Sequence, residues 1–133
     1  MKIAIIGPGL MPIPPEGWGG VEHLVWDMKL ALNELNHDVQ IINTTNAYDI
    51  IGMINQYRPD FVHIQYDDWV VIYPYIQYPC AISTHFAYIE NESMMGPYKQ
   101  RVFDHFPNIK PNVFALSEGV NKVYEKHGLP KEN

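Results

Sequence analysis

The sequence predicts one α/β domain over residues 1–133, with a doubly wound parallel sheet between helices in three α/β/α layers. Short apolar segments alternate along the chain with amphipathic helical patterns, beginning with the apolar residues 3–6 directly before Gly7. A short apolar run that ends at a glycine is typical of a strand buried on both faces of a parallel sheet. Strands that alternate with helices form right-handed βαβ units. The pattern therefore predicts a Rossmann-like fold.

Five strands are predicted, each a short apolar segment with turn-forming residues at its ends. They comprise residues 3–6, 39–42, 61–64, 81–84 and 113–116. The apolar segment 70–76 carries Pro74, and a proline removes a ladder hydrogen bond from a central strand. We therefore expect a short helix or an irregular segment there instead of a sixth strand.

The first helix is predicted from Val21 to near Asn36, because apolar residues recur there at the i, i+3, i+4, i+7 spacing of an amphipathic helix. A second helix covers residues 50–57 and should stop before Pro59, since proline disfavours helical geometry at the preceding residue. A third helix is predicted over residues 98–106.

The last helix should begin after Ser117 and end at Gly128. A serine side chain caps the first turn, and a glycine tolerates the left-handed backbone that ends many helices. Ligands of parallel sheets bind beyond the carboxyl ends of the strands. The loops at these ends should converge on one crevice, and they comprise residues 7–20, 43–46, 65–68, 85–97 and 117–118.

Composition excludes several classes of protein. The net charge of -6 and the nine scattered basic residues argue against a nucleic-acid partner, which needs clustered lysine and arginine. A single cysteine, Cys80, rules out an internal disulfide framework and favours a reducing, cytoplasmic location. No segment has the roughly 18 uncharged apolar residues of a membrane span. Peripheral contact with a membrane is left open.

The glycine loop after the first strand first suggests a dinucleotide-binding protein. Gly7 and Gly9 match the start of the G-x-G-x-x-G fingerprint, but Pro12 stands at the third glycine position. The second strand ends in Asn43, where a dinucleotide enzyme has an acidic residue for the ribose. Binding of NAD is therefore the weaker alternative.

This loop is long, since connections between strands and helices usually take about 2–6 residues. Its prolines stiffen residues 8–15, whereas Gly17, Gly19 and Gly20 let the backbone approach a ligand closely. Gly19 and Gly20 directly precede the first helix, whose unpaired N–H groups favour an anion. The loop therefore predicts a site for a diphosphate.

The segment P-I-P-P-E-G-W-G-G-V-E-H at residues 12–23 resembles the P-P-x-x-x-G-G-x-E segment of family 4 GT-B glycosyltransferases. Four further segments are similar to motifs of that family in the same order along the chain. They are L-N-H-D-V at 35–39, R-P-D-F-V-H-I-Q-Y at 58–66, S-T-H at 83–85 and A-L-S-E at 115–118. Asn36 replaces the usual glycine of the second motif.

The resemblance implies one half of a GT-B fold, the amino-terminal domain that binds the acceptor. Its substrates would be a nucleotide-sugar donor and a carbohydrate or lipid-linked acceptor, and transfer would retain the anomeric configuration. We expect the C-terminal donor-binding domain to come from the same gene or from a second chain. Neither a metal nor a bound cofactor is expected.

The resemblance also implies roles for individual residues. Gly19 and Gly20 would form the donor-phosphate or acceptor loop, and His85 would be the catalytic residue. The candidates for binding the acceptor are Trp18, Glu22, Ser117 and Glu118. Each has a structural alternative, such as capping for Ser117, a favourable helix dipole for Glu22, or a surface position for His85.

Two rival functions remain at this point. One is a non-catalytic subunit that binds a sugar or a partner and needs a second chain for chemistry. The other is the NAD-binding protein, which tight nucleotide affinity would reveal.

Overall fold

The computed structural model describes residues 1–85, 102–109, 113–115 and 117–129. All five predicted strands are present and pair in parallel in the order β2-β1-β3-β4-β5. They are β1 (Lys2–Ile6), β2 (Asp38–Ile42), β3 (Phe61–Ile64), β4 (Cys80–Thr84) and β5 (Val113–Ala115). The predicted α/β class and the doubly wound parallel sheet are confirmed.

The helices follow the strands as predicted, with one exception. The α-helices are α1 (Gly20–Glu34), α2 (Ala47–Tyr57) and α3 (Glu118–Lys126), and segment Asp67–Tyr75, which contains Pro74, is a 3-10 helix. The helix predicted over residues 98–106 has other bounds in its described part, where it begins only at Phe103 and is of the 3-10 type. Phe103–Ile109 forms a 3-10 helix that contains Pro107, a residue that cannot donate an i→i−4 hydrogen bond. Residues 98–101 lie outside the described part of the chain.

Three helix ends show why these residues stop a helix. Asn36 after α1 and Arg58 after α2 both have a positive φ, of 66° and 54°. Gly128 after α3 has a φ of 97°, and the next N–H, of Leu129, donates to the Tyr124 carbonyl at 2.9 Å. This is the Schellman pattern, in which glycine or asparagine takes the left-handed position.

The two faces of the sheet carry separate apolar clusters, which make the fold three-layered. On one face Ile3 and Ile5 pack with Val25 of α1. On the other face Ala4 and Ile6 pack with α2, the two 3-10 helices and α3. Because side chains alternate along a strand, β1 feeds both clusters. Among the described residues, no helix has the length and apolar character needed to cross a membrane.

The strand order places a switch point beside β1. The chain leaves β1 through α1 to reach β2 on one side, and leaves β2 through α2 to reach β3 on the other side. At such a point the loops after the two neighbouring strands separate and leave a crevice. The loops after β1 and β3 are therefore the expected walls of a binding site.

Candidate functional site

A cavity of about 440 Å³ lies at this switch point. Its walls come from the loop after β1, the start of α1, the loop after β3 and the end of β4. The lining residues are Pro8, Leu10, Met11, Trp18, Gly19, Gly20, Val21, Glu22, Gln65, Tyr66, Asp67 and His85. Three of the five predicted loops thus converge on one crevice.

Asn43, the first residue after β2, holds the glycine loop in place. Its Oδ1 accepts the Gly9 N–H at 2.7 Å, and its Nδ2 donates to the Met11 carbonyl at 2.8 Å. Gly9 has a φ of 81°, and a Cβ there would lie only 2.4 Å from the carbonyl carbon of Thr44. Both polar groups of Asn43 are therefore used to position the loop wall of the cavity.

The start of α1 forms a second wall and has no side-chain cap. Gly19 is the N-cap residue and offers no side chain, while Gly20, Val21 and Glu22 in the first turn all line the cavity. The first N–H groups of a helix have no partner within the helix. A Cβ added at Gly20 would meet no atom within 4 Å, so the protein fold itself does not require glycine there.

Two buried acidic side chains line the cavity. Glu22 is 5% exposed and Asp67 is 4% exposed. No lysine or arginine occurs among the described lining residues. Trp18 stands at the rim and is 89% exposed. The described cavity therefore offers hydrogen-bond acceptors and an aromatic surface, with backbone N–H groups as its donors at the helix end.

His85 lies at the end of β4 and is tied to β3 by a glutamine. The Nε2 atom of His85 is 2.7 Å from Oε1 of Gln65, whose side chain is 2% exposed. The Nε2 atom of Gln65 lies 3.1 Å from both ring nitrogens of His63. His63 in turn contacts the Ser83 hydroxyl at 2.7 Å. The two histidines thus belong to one polar cluster within the sheet.

Burial keeps both rings of this cluster neutral near pH 7. Desolvation, with a smaller contribution from His85, lowers the pKa of His63 from its ordinary 6.5 to about 4. Desolvation also lowers the pKa of His85. At neutral pH each ring therefore has one N–H donor and one nitrogen lone pair.

A second, smaller cavity of about 220 Å³ lies on the other side of the Gln65 and His85 pair. Between α1 and the strands it is lined by Leu24, Met28, His63, Gln65, Ser83, His85, Phe114 and Ala115. His85 therefore borders both cavities and can contact a ligand in either one.

The structure brings five of the seven sequence-predicted site residues to the larger cavity, namely Trp18, Gly19, Gly20, Glu22 and His85. Ser117 and Glu118 are exposed and line neither cavity. Ser117 caps α3, since its Oγ accepts the Val120 N–H at 3.3 Å. Their roles in binding an acceptor stay predictions.

Sequence reasoning missed Gln65, Asp67 and Ser83 as site residues. Gln65 and Asp67 fall within the loop predicted at this edge of the sheet, so their position was the available signal. Nothing in the sequence pairs Ser83 with His63, because the contact is made across two strands. Among the described residues, no group of three or more His, Cys, Asp or Glu side chains could hold a metal ion.

Comparisons of this chain with protein-family models, with curated proteins and with solved structures found no match.

Proposed function

We propose that this chain is the acceptor-side domain of a glycosyltransferase that moves a sugar from a nucleotide donor to an acceptor hydroxyl. The observation that carries the proposal is the cavity at the switch point, where an uncapped helix start, two buried carboxylates and a neutral histidine line one space. These groups suit a ligand that is rich in hydroxyl groups. The motifs at residues 12–23 and 83–85 supply the helix start, Glu22 and His85, whereas Asp67 lies outside both motifs.

The buried carboxylate of Glu22 favours a saccharide in this cavity. Glu22 has no hydrogen-bond partner among the described residues although it is 5% exposed. A buried carboxylate without a donor is costly, and sugar hydroxyls are suitable donors. The exposed indole of Trp18 offers an aromatic surface for the apolar face of a sugar ring. Together they support recognition of a carbohydrate acceptor.

The cavity can bind only part of a donor diphosphate. The N–H groups at the start of α1 suit a phosphate oxygen, and Gly20 leaves the open space that a close approach needs. The described lining provides no cationic side chain to neutralise a second charge. We therefore assign the remaining phosphate contacts to a donor-binding domain, supplied by the same gene or by another chain.

Catalysis in this scheme depends on positioning and on stabilising the charge of the leaving group. His85, neutral at pH 7, accepts or donates a hydrogen bond to a substrate hydroxyl and so orients it. No covalent intermediate is assigned to this domain. On this basis the chain alone transfers little or no sugar.

The engagement of Asn43 in the loop supports this proposal over a dinucleotide-binding protein. An acidic residue at this position would grip the ribose hydroxyls, but the Asn43 side chain already bonds Gly9 and Met11. The helix start is also separated from Gly9 by a further ten residues, from Leu10 to Gly19. The dinucleotide fingerprint instead opens the helix directly after its glycines.

Sugar-nucleotide turnover tests the proposal. The chain alone should give no transfer, whereas the chain extended along its reading frame, or mixed with a donor-binding partner, should release nucleotide in the presence of acceptor. His85→Ala in the active assembly should reduce turnover at least about tenfold, and His105→Ala, an exposed histidine, is the matched control. Saccharide binding without turnover in every assembly would indicate a binding subunit. Tight NAD binding by calorimetry would contradict both the glycosyltransferase function and the binding-subunit function.

A further inference from the structure

The buried side chain of Gln65 has a defined orientation. Its Oε1 faces Nε2 of His85, and its Nε2 lies 3.5 Å from the sulfur of Met28. A thioether sulfur accepts hydrogen bonds and cannot donate them. The amide nitrogen therefore belongs on the Met28 side, and the amide oxygen belongs on the His85 side.

The contact between Gln65 and His63 supports the same orientation. The amide nitrogen is 3.1 Å from both ring nitrogens of His63, which flank one carbon atom. An atom in the ring plane at equal distance from both would overlap that carbon, so the amide must lie over the face of the ring. An N–H group over a neutral aromatic face is favourable. An amide oxygen there would face the electron-rich ring and be repelled.

An amide oxygen can only accept a hydrogen bond, so Nε2 of His85 must carry the proton. We propose that Gln65 is a positioning residue that holds His85 as its Nε2–H tautomer, so that the Nδ1 lone pair is the acceptor presented to a substrate hydroxyl. No partner for Nδ1 occurs among the described residues. The tautomer follows from the ligand-free geometry. The assignment of a substrate hydroxyl as the donor to Nδ1 rests on the proposed function.

A neutral amide at position 65 suits this role better than a carboxylate. The titratable groups of neighbouring described elements are His63 on β3, Glu22 on α1 and Asp67 on the first 3-10 helix. A further carboxylate in contact with Nε2 would stabilise the imidazolium and remove the lone pair from Nδ1. Gln65 orients the ring without adding that charge.

Nitrogen NMR of the histidine rings tests this inference on the ligand-free chain. We expect His85 to show a protonated Nε2 and an unprotonated Nδ1 at neutral pH. Gln65→Leu should raise the minor Nδ1–H population at least about tenfold, since the loss of one hydrogen bond of about 1.4 kcal/mol changes the ratio by that factor. Gln65→Glu should shift the titration of His85 to higher pH, and above that titration the neutral ring should again carry its proton on Nε2. Gln40→Leu, at a half-buried position on β2, is the matched control.

A wild-type ring protonated on Nδ1 would overturn the inference, and so would a Gln65→Leu spectrum identical to that of the wild type. If Gln65→Leu does not fold, the wild-type spectrum and Gln65→Glu decide the matter. A methyl glycoside should then shift the Nδ1 resonance. If the Nε2–H tautomer is found but no glycoside, sugar nucleotide or acceptor binds, the proposed function fails while the positioning role of Gln65 stands.

Discussion

The buried His63 should make the stability of this domain depend on pH. Its pKa is 6.5 in an unfolded chain and about 4 in the folded protein, because burial penalises the charged ring. Between these values the unfolded chain binds a proton that the folded protein does not. The contribution of the neutral His63 to the free energy of unfolding is therefore complete above pH 6.5 and is lost as the pH falls toward 4. At about 1.36 kcal/mol per pH unit, the loss is about 3 kcal/mol.

That loss is large for a domain whose total stability is typically about 5–15 kcal/mol. Urea unfolding, followed by tryptophan fluorescence at about pH 7 and about pH 4.5, measures it. In His63→Gln the group cannot titrate, so the decrease over this range should be smaller than in the wild type by most of that amount. His105→Gln, which leaves His63 intact, should keep the wild-type decrease. Equal decreases in His63→Gln and the wild type would show that titration of His63 does not destabilise the fold.

Other substitutions test the loop, the cavity and the core. Gly20→Ala should raise stability by about 0.4–1 kcal/mol in urea unfolding, because its Cβ has open space, yet weaken ligand binding at least about tenfold. Gly52→Ala, which also has open space but lies in α2, should give the stability gain without the binding loss. Asn43→Ala should cost about 1–3 kcal/mol, since the loop groups it bonds lose their partner; an unchanged urea midpoint would contradict this. Cys80, buried and with its pKa raised to about 12, should react with a thiol reagent at least about 100-fold faster in denaturant than in the native protein. Rapid native labelling would show that the core opens.

The strands and helix ends could be predicted because their signals are local. The apolar run before Gly7 predicted β1, and Ser117 and Gly128 predicted the two ends of α3, all of which the structure confirms. Asn36 after α1 takes the left-handed backbone, because asparagine tolerates it. These features depend on one residue and its neighbours in sequence.

The polar cluster could not be predicted in the same way. Gln65 and His85 are 20 residues apart and meet only because β3 pairs with β4. Periodicity places both residues at one edge of the sheet, but it does not give the orientation of an amide or the tautomer of a ring. The helix predicted over residues 98–106 differs from the structure in its bounds, because the described 3-10 helix begins at Phe103 and continues through Pro107 to Ile109.

The cavity between the glycine loop and His85 should bind a saccharide. This binding can be measured by titrating the isotope-labelled chain with methyl glycosides and sugar nucleotides and following its amide and ring resonances. We expect the largest shifts at Trp18, Gly20, Glu22 and His85, and Gly20→Ala should weaken them. Absence of any shift at these residues, with shifts around Gly9 on addition of NAD, would show that this cavity does not bind a saccharide.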